Sequence, residues 1–259
     1  MILMPGTNLK KKILTLLLAA LLLFSPIAPG KAFAVNSLTG ATLIPSGDFL
    51  ITTDGNYQLG NGYKGIITIA PTASKVKVIG SSDGKTLAKA SIAIASRLGP
   101  FELTVENLKL SASAAKSAID FDNVPGINYN IWPYNKSNAD QPAPYSRTDT
   151  LLVSGVCSLT GGSGGAGVRV GDGVHLIIDK AAGLSDANAC LSALGGENGP
   201  GIGGNSGFFS GSVSINGGTI TATGGSNGVG LGDLTRRRYH KWRRGYGHKP
   251  CNALPGNWQ

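Results

Sequence analysis

The segment Gly199-Pro200-Gly201-Ile202-Gly203-Gly204 returns 29 residues later as Gly228-Val229-Gly230-Leu231-Gly232-Asp233. Between the copies lies Ser212–Thr223, where apolar residues alternate with Ser and Thr on either side of a Gly-Gly corner. Alternation with period two is typical of a strand with one buried face. A repeat of strand, glycine corner and strand, about 20–35 residues long, is typical of a β-solenoid. We therefore predict stacked rungs, with Ile215 pointing into the stack.

The rest of the chain fits the same interpretation. Short apolar runs separated by Gly, Asn, Asp and Ser continue upstream, for example at residues 65–70, 75–80 and 101–110, and no long helical pattern intervenes. The 259 residues include 39 Gly and only 14% charged residues, which excludes a helical bundle because glycine destabilises helices. An apolar fraction of 41% is enough to build a core. The sequence thus predicts an all-β fold.

The net charge of +9 is located at the two ends of the chain. Four positive residues precede residue 35 and seven follow residue 234, whereas the stretch between them holds 12 Lys and Arg against 14 Asp and Glu. The body of the protein is therefore near neutral, and its charge does not indicate a nucleic-acid partner.

The first 34 residues are predicted to be a secretory signal peptide. Lys10 to Lys12 form a basic region, an apolar run follows to Phe24, and Ala32-Phe33-Ala34 is a small-x-small cleavage site. Cleavage would separate Ala34 from Val35. We expect an exported protein with no membrane span after cleavage, because the apolar run is too short to cross a bilayer.

The cysteines define neither a disulfide framework nor a zinc site. Cys157, Cys190 and Cys251 make an odd number without metal-binding spacing. Cys157 lies in an alternating apolar run and is predicted to be a small core residue. A Cys157–Cys190 disulfide stays an open alternative, because spacing alone does not fix the distance between Cα atoms.

Residues 199–233 resemble a glycine-rich repeat of bacterial surface proteins. The unit Gly-Ala-Gly-Ile-Gly-Gly-Gly followed by Gly-Thr-Ile-Thr-Ile-Asn-Gly-Gly-Thr-Val-Thr-Ala-Thr-Gly-Gly occurs in glycine-rich, secreted or surface-attached proteins of Gram-positive-type bacteria, beside pectin-lyase-like β-helices. Residues 45–180 are similar only in style. The resemblance implies a right-handed parallel β-helix and a location at the cell surface, and it carries over no catalytic residues.

An enzymatic alternative depends on two carboxylates. Polysaccharide lyases and hydrolases of the β-helix class need acids converging on one rung face, and only Asp120 and Asp122 share a strand face in this way. The nearest candidate arginines are Arg97 and Arg147. The favoured interpretation is structural, with the acids hydrogen-bonded to their own backbone at a corner.

A segment rich in aromatic residues and proline interrupts the rungs. Trp132, Tyr134 and Tyr145 lie among prolines, and an extruded loop of this kind can stack on sugar rings. A binding loop for a cell-wall or host polysaccharide is therefore one interpretation of this segment. The favoured interpretation is that these rings fold back over the flank of the solenoid, because large aromatic side chains are usually buried.

The basic and aromatic tail differs in composition from the rest of the chain. Codons for residues 240–249, displaced by one nucleotide, permit Ile-Asn-Gly-Gly-Gly-Val-Thr-Ala-Thr, which is nearly the rung 215–223. We predict that the reading frame changes near Leu234, so that the tail is an out-of-frame translation of the next rung. The solenoid is then truncated at its C-terminal end, where it is expected to fray or aggregate.

These observations divide the chain into five parts: a signal peptide (1–34), N-terminal rungs (35–128), a loop insertion (129–148), glycine-rich rungs (149–233) and an aberrant tail (234–259). The expected function is that of a structural or adhesive module at a bacterial surface, with no cofactor, no metal and no catalysis. The alternatives are a carbohydrate-binding module using the Trp132 loop and a polysaccharide lyase or hydrolase.

Overall fold

The computed structural model divides the chain into two compact units, Met1–Phe33 and Ala34–Gln259. All residues that the structure describes belong to the second unit. They are residues 35–36, 40–81, 87–88, 90–95, 97–121, 147–208 and 210–232.

The described residues form 18 strands and one short 3₁₀ turn at Asp186–Asn188, with no α-helix among them. The all-β prediction is confirmed. In chain order the strands are β1 (Val35–Asn36), β2 (Thr42–Ile44), β3 (Phe49–Ile51), β4 (Gly55–Leu59), β5 (Gly65–Ile69), β6 (Lys75–Ile79), β7 (Leu87–Ala88), β8 (Ala90–Ile94), β9 (Phe101–Glu106), β10 (Lys109–Ser111), β11 (Ile119–Phe121), β12 (Arg147–Thr160), β13 (Val168–Val170), β14 (Val174–Lys180), β15 (Ala189–Leu194), β16 (Ile202–Gly203), β17 (Ser212–Ile215) and β18 (Thr219–Thr223).

The strands belong to two sheets of 12 and six strands, neither of which closes on itself. The six-stranded sheet has the order β16-β13-β11-β8-β5-β3. Among the described pairs every one is parallel except β1 with β2. Apart from β1 and β2, strands that follow each other along the chain therefore do not pair as hairpins, and each pairs with a strand that precedes or follows it by a longer stretch of chain.

The 14-residue strand β12 joins the two halves of the larger sheet. Its first half pairs with β9 and β14, and its second half pairs with β10 and β15. Between the halves lies Gly155, whose φ of 66° is left-handed. A Cβ on Gly155 would lie 2.0 Å from Oδ1 of Asn107, and the same oxygen accepts a hydrogen bond from the backbone N–H of Val156. The bend thus requires glycine.

The core consists of rows of apolar side chains that cross the strands. Alternation along each strand turns every second side chain inward, and parallel register places these side chains over one another. One row of the six-stranded sheet runs through Phe49, Ile67, Ile92, Ile119, Val168, Ile202 and Leu231. Its inner members are fully buried, whereas Phe49 and Leu231 at the two ends are only partly buried.

Four-residue turns stack beside this sheet. In the turn Gly162–Gly165 the N–H of Gly165 donates to the carbonyl of Gly162, and the same bond recurs from Gly199 to Gly196 and from Gly228 to Gly225. The left-handed third position is occupied by Gly164, Asn198 and Asn227 in successive turns. This arrangement is a type II turn repeated in register. The step between turns falls within the predicted 20–35 residues.

Two of the sequence predictions need correction. The thiols of Cys157 and Cys190 are both free and buried, so the disulfide alternative is wrong. Cys157 lies opposite Leu191, and Cys190 lies opposite Val156. The two thiols therefore point to opposite faces of the sheet. Cys157 is a core residue, as predicted.

The second correction concerns the burial of Ile215. It pairs with the fully buried Ile178 and so lies on the inward side of its strand, yet 41% of its surface is exposed. The expectation that Ile215 is buried is wrong, because β17 is the last strand of its ladder among the described residues.

Candidate functional site

The most distinctive polar cluster lies on the outer face of the six-stranded sheet. One outward row passes through Ala93, Asp120, Arg169 and Gly203, in adjacent strands. Asp120 and Arg169 are the charged residues of this row, and each is flanked by a small residue on its other side.

Asp120 and Arg169 form an ion pair. Nη1 of Arg169 lies 3.3 Å from Oδ2 of Asp120, and the side chains are 13% and 29% exposed, respectively. The two residues are directly opposite in the parallel pair β11–β13, a position at which opposite charges stabilise a sheet. Asp120 was predicted from the sequence as a candidate site residue. Arg169 was not, because only the strand register brings it beside Asp120.

Phe208 contacts the arginine of this pair. The guanidinium carbon of Arg169 is 5.2 Å from the centroid of the Phe208 ring, which is a cation–π distance. Phe208 follows β16 in a surface loop, and 46% of it is exposed. The ring is therefore presented to solvent while it contacts the guanidinium.

The loop that carries Phe208 is tied to the sheet through Asn205. Oδ1 of Asn205 accepts hydrogen bonds from Oγ of Ser117 at 2.8 Å and from the N–H of Ala166 at 2.9 Å. The N–H of Ser206 donates to Gly164, and that of Phe208 donates to Asn205. Sequence reasoning missed this tether, because Ser117 and Asn205 are far apart in the chain.

The two arginines that the sequence suggested as partners of Asp120 lie in a buried cluster with partners of their own. Arg147 forms an ion pair with Asp149 at 2.8 Å, with both side chains at 1% exposure or less. The N–H of Phe101 donates to Asp149, and Arg147 donates to the carbonyl of Arg97. Burial raises the pKa of Asp149, against the opposing effect of Arg147.

Arg97 holds the neighbouring turn at Ala70–Ala73 by hydrogen bonds. Its guanidinium donates to the carbonyls of Ala70 and Ala73 and lies over the Phe101 ring at 4.2 Å. Burial lowers the pKa of Arg97, and neighbouring Arg147 lowers it further. The Ala70 carbonyl also accepts a hydrogen bond from the N–H of Ala73, so Arg97 adds a second donor there and binds the carbonyl of Ala73, which is a structural role.

A histidine and two serines meet on the outer face of the larger sheet. Nδ1 of His175 is 2.6 Å from Oγ of Ser212, and Nε2 is 3.4 Å from Oγ of Ser214. A catalytic serine needs a base oriented by a third group. In the hydrogen bonds of the described residues both ring nitrogens face hydroxyls, so this cluster lacks that orienting group.

Other charged residues form ion pairs near the surface, two of which link β6 and β9. Lys75 contacts Glu102 at 2.8 Å, Lys77 pairs with Glu106, and Lys180 contacts Asp186 at 2.9 Å. In the described ranges, no three His, Cys, Asp or Glu residues are grouped so that they could hold a metal ion. Nor does the described part of the chain include a helix long and apolar enough to span a bilayer.

Several predicted residues fall outside the described ranges. Asp122, the aromatic residues Trp132, Tyr134 and Tyr145, the cleavage-site residue Ala34 and the tail 234–259 all do so. Val35 lies in β1. Of the predicted loop insertion 129–148, only Arg147 and Thr148 are described, and both lie in β12.

Comparison with known proteins gives no further assignment: no protein-family model, no curated protein and no solved structure matches the chain.

Proposed function

We propose that the chain is an exported, right-handed parallel β-helix that serves as a structural or adhesive module at a bacterial surface, without catalysis. The observation that carries the proposal is the register of the parallel ladders. Apolar rows fill the inside, and the outer faces present mixed polar, charged and apolar side chains in regular rows. Regular rows of this kind are suited to display and attachment.

The order of the strands supports the coil. Along the chain, β12 lies in the larger sheet, β13 in the smaller, β14 and β15 in the larger and β16 in the smaller again. After leaving β12, the chain returns beside it as β14 and β15, and after leaving β13 it returns beside it as β16. Parallel crossovers are right-handed in about 98% of cases, and this rule is the basis for the proposed hand.

The partners of the carboxylates support a function without catalysis. Asp120 is held by Arg169, and Asp149 is buried against Arg147. A lyase or hydrolase of the β-helix class needs carboxylates that face the substrate together. The paired acids of the described rungs have the geometry of structural ion pairs.

Location at the surface is proposed from the leader and from the resemblance of the repeats. The test is to express the full chain with its own leader in a Gram-positive host. We expect the protein on intact cells, accessible to antibody and beginning at Val35, and we expect these cells to bind polysaccharide-coated surfaces more than cells without the gene. Retention of Met1 in the cytosol, or unchanged attachment, would contradict the proposal.

The enzymatic alternative has a separate test. If polygalacturonate incubated with the wild-type chain released unsaturated oligosaccharides, and Asp120→Asn abolished that release, the chain would be a lyase and the non-catalytic proposal would be wrong. We expect no release from either protein.

A further inference from the structure

We propose that Asn61 is a site of covalent self-modification, at which the backbone of the next residue converts the side-chain amide into a carboxylate. The inference goes beyond the proposed surface function and does not depend on it. Asparagine precedes glycine at four places in the chain: Asn61-Gly62, Asn198-Gly199, Asn216-Gly217 and Asn227-Gly228. All four lie in turns or corners between strands, but their surroundings differ.

The reaction needs a backbone nitrogen that reaches the side chain before it. The nitrogen of Gly62 attacks Cγ of Asn61, a bond forms between them, and the side-chain nitrogen leaves as ammonia with the proton of the Gly62 amide. The product is a five-membered cyclic imide, which water opens to aspartate or to isoaspartate. Water is the only co-reactant. Glycine at the second position favours the attack, because it has no Cβ to crowd the ring and adopts many backbone conformations.

Asn61 and Gly62 form the exposed tip of the turn 60–63. The turn is closed by the N–H of Tyr63, which donates to the carbonyl of Gly60 at 3.2 Å. Within the described residues, neither the N–H of Gly62 nor the side chain of Asn61 has a hydrogen-bond partner in the protein. A Cβ on Gly62 would meet nothing within 4 Å. The attack at this turn therefore breaks no hydrogen bond of the attacking nitrogen, and water has access to the imide.

Asn198 and Asn227 lie in the stacked type II turns, where the attacking nitrogen is held. In each turn the N–H after the asparagine donates at 2.8 Å to a carbonyl across the turn, that of Gly196 or Gly225. The Asn227 side chain is held as well, since its Nδ2 donates to Oδ1 of Asn198 at 3.3 Å. The attack would have to break these hydrogen bonds, which raises its barrier.

Asn216 is exposed like Asn61, but a carboxylate lies close to the glycine that follows it. A Cβ on Gly217 would be 2.3 Å from Oδ1 of Asp179. The attacking nitrogen becomes negatively charged when its proton is removed, and a neighbouring carboxylate destabilises that charge. We therefore expect Asn216 to react more slowly than Asn61.

The experiment incubates the folded full chain in mildly alkaline buffer, where the amide proton is removed more readily. Samples are digested in acid, and the mass of each peptide that contains an Asn-Gly pair is followed with time. We expect Asn61 to convert first, about tenfold faster than Asn198 and Asn227, which corresponds to the loss of one hydrogen bond. Isoelectric focusing of the intact chain should show a more acidic form that appears at the same rate.

Asn61→Gln is the matched variant, because its longer side chain would have to close a less favourable six-membered ring. The early acidic form should be absent from this variant, and its thermal unfolding should match that of the wild type. Asp179→Asn should accelerate conversion at Asn216 severalfold and leave the rate at Asn61 unchanged. In urea, where the turns are lost, the rates at the four pairs should converge.

Three results would overturn the inference. The first is conversion of the folded chain at equal rates at all four pairs, or faster at Asn198 or Asn227 than at Asn61. The second is an early acidic form that persists in Asn61→Gln. The third is the same ranking of the four pairs in urea, which would show that the neighbouring sequence sets the rates and that the fold does not.

Discussion

Ile215 lies directly over Ile178 in the parallel pair β14–β17, yet Ile178 is fully buried and Ile215 is 41% exposed. The two side chains have the same identity and the same inward orientation. What differs is the number of neighbouring strands: Ile178 is covered by strands on both sides, whereas Ile215 has one on one side only among the described residues. Burial in this fold therefore depends on position along the stack as well as on alternation within a strand.

This difference predicts unequal costs for the same substitution. Ile178→Ala should lower the free energy of unfolding by about 3 kcal/mol, because it leaves a cavity in a packed row. Ile215→Ala should cost about 1 kcal/mol, because much of the side chain is already in water. Urea unfolding of the two variants measures both values. Equal costs would show that Ile215 is covered in solution.

The stacked turns predict a sharp contrast between two glycines. A Cβ at Gly196 would lie 1.9 Å from the carbonyl oxygen of Gly162 in the turn below, whereas a Cβ at Gly164 meets nothing within 4 Å. Gly196→Ala should therefore cost about 3 kcal/mol or more. Gly164→Ala should cost only about 1–2 kcal/mol, which is the cost of placing alanine at a left-handed φ. Thermal unfolding that ranks the variants in the opposite order would contradict the stacking of these turns.

The protein should lose stability in acid through Asp54. The carboxylate accepts hydrogen bonds from the N–H groups of Lys75 and Ser74, which hold its pKa below the ordinary value. A depressed folded-state pKa contributes stability above the unfolded-state pKa, and that contribution disappears as the pH falls through the folded-state value. We expect the urea midpoint to fall from about pH 4 downward.

Asp54→Asn is the control for this pH effect. The variant should be less stable than the wild type at pH 6, and the difference should shrink as the pH is lowered to about 2.5. A difference that is constant with pH would show that the Asp54 carboxylate does not carry the effect.

The predicted frame change near Leu234 also has a structural consequence. If the next rung is encoded one base over, restoring the frame should place a new apolar strand beside β17 and cover Ile215. The restored chain should unfold at a higher temperature, and the cost of Ile215→Ala should rise toward that of Ile178→Ala. If the nucleotides after codon 234, read one base over, encode no rung-like sequence, the prediction fails.

Local patterns and long-range contacts differed in how well the sequence predicted them. Alternation and glycine corners predicted the strands and the turns, because both depend on neighbouring residues. The contact of Asp120 with Arg169 depends on which strands are adjacent and on their register, and no local pattern encodes that choice. The tether from Asn205 to Ser117 is missed for the same reason.

The disulfide alternative was wrong because it also depends on strand register. Cys157 and Cys190 lie in adjacent strands, but a shift of one position places their thiols on opposite faces. Sequence spacing alone contains no information on that shift. The exposure of Ile215 was missed because alternation reports the direction of a side chain and not what lies beyond it.

The strands stack in parallel and in register, and a distance measured across the ladder tests this arrangement. Asn56, Lys77, Thr104, Leu152 and Asp179 are successive partners in one outward row. In a chain with Cys157, Cys190 and Cys251 replaced by alanine, spin labels at positions 56 and 179 should be about 19 Å apart, which is four strand spacings. Labels at 104 and 179, two spacings apart, should give about 10 Å. A narrow distribution at these distances is the predicted result, and a separation beyond about 30 Å, or a ratio far from two to one, would contradict the parallel stack.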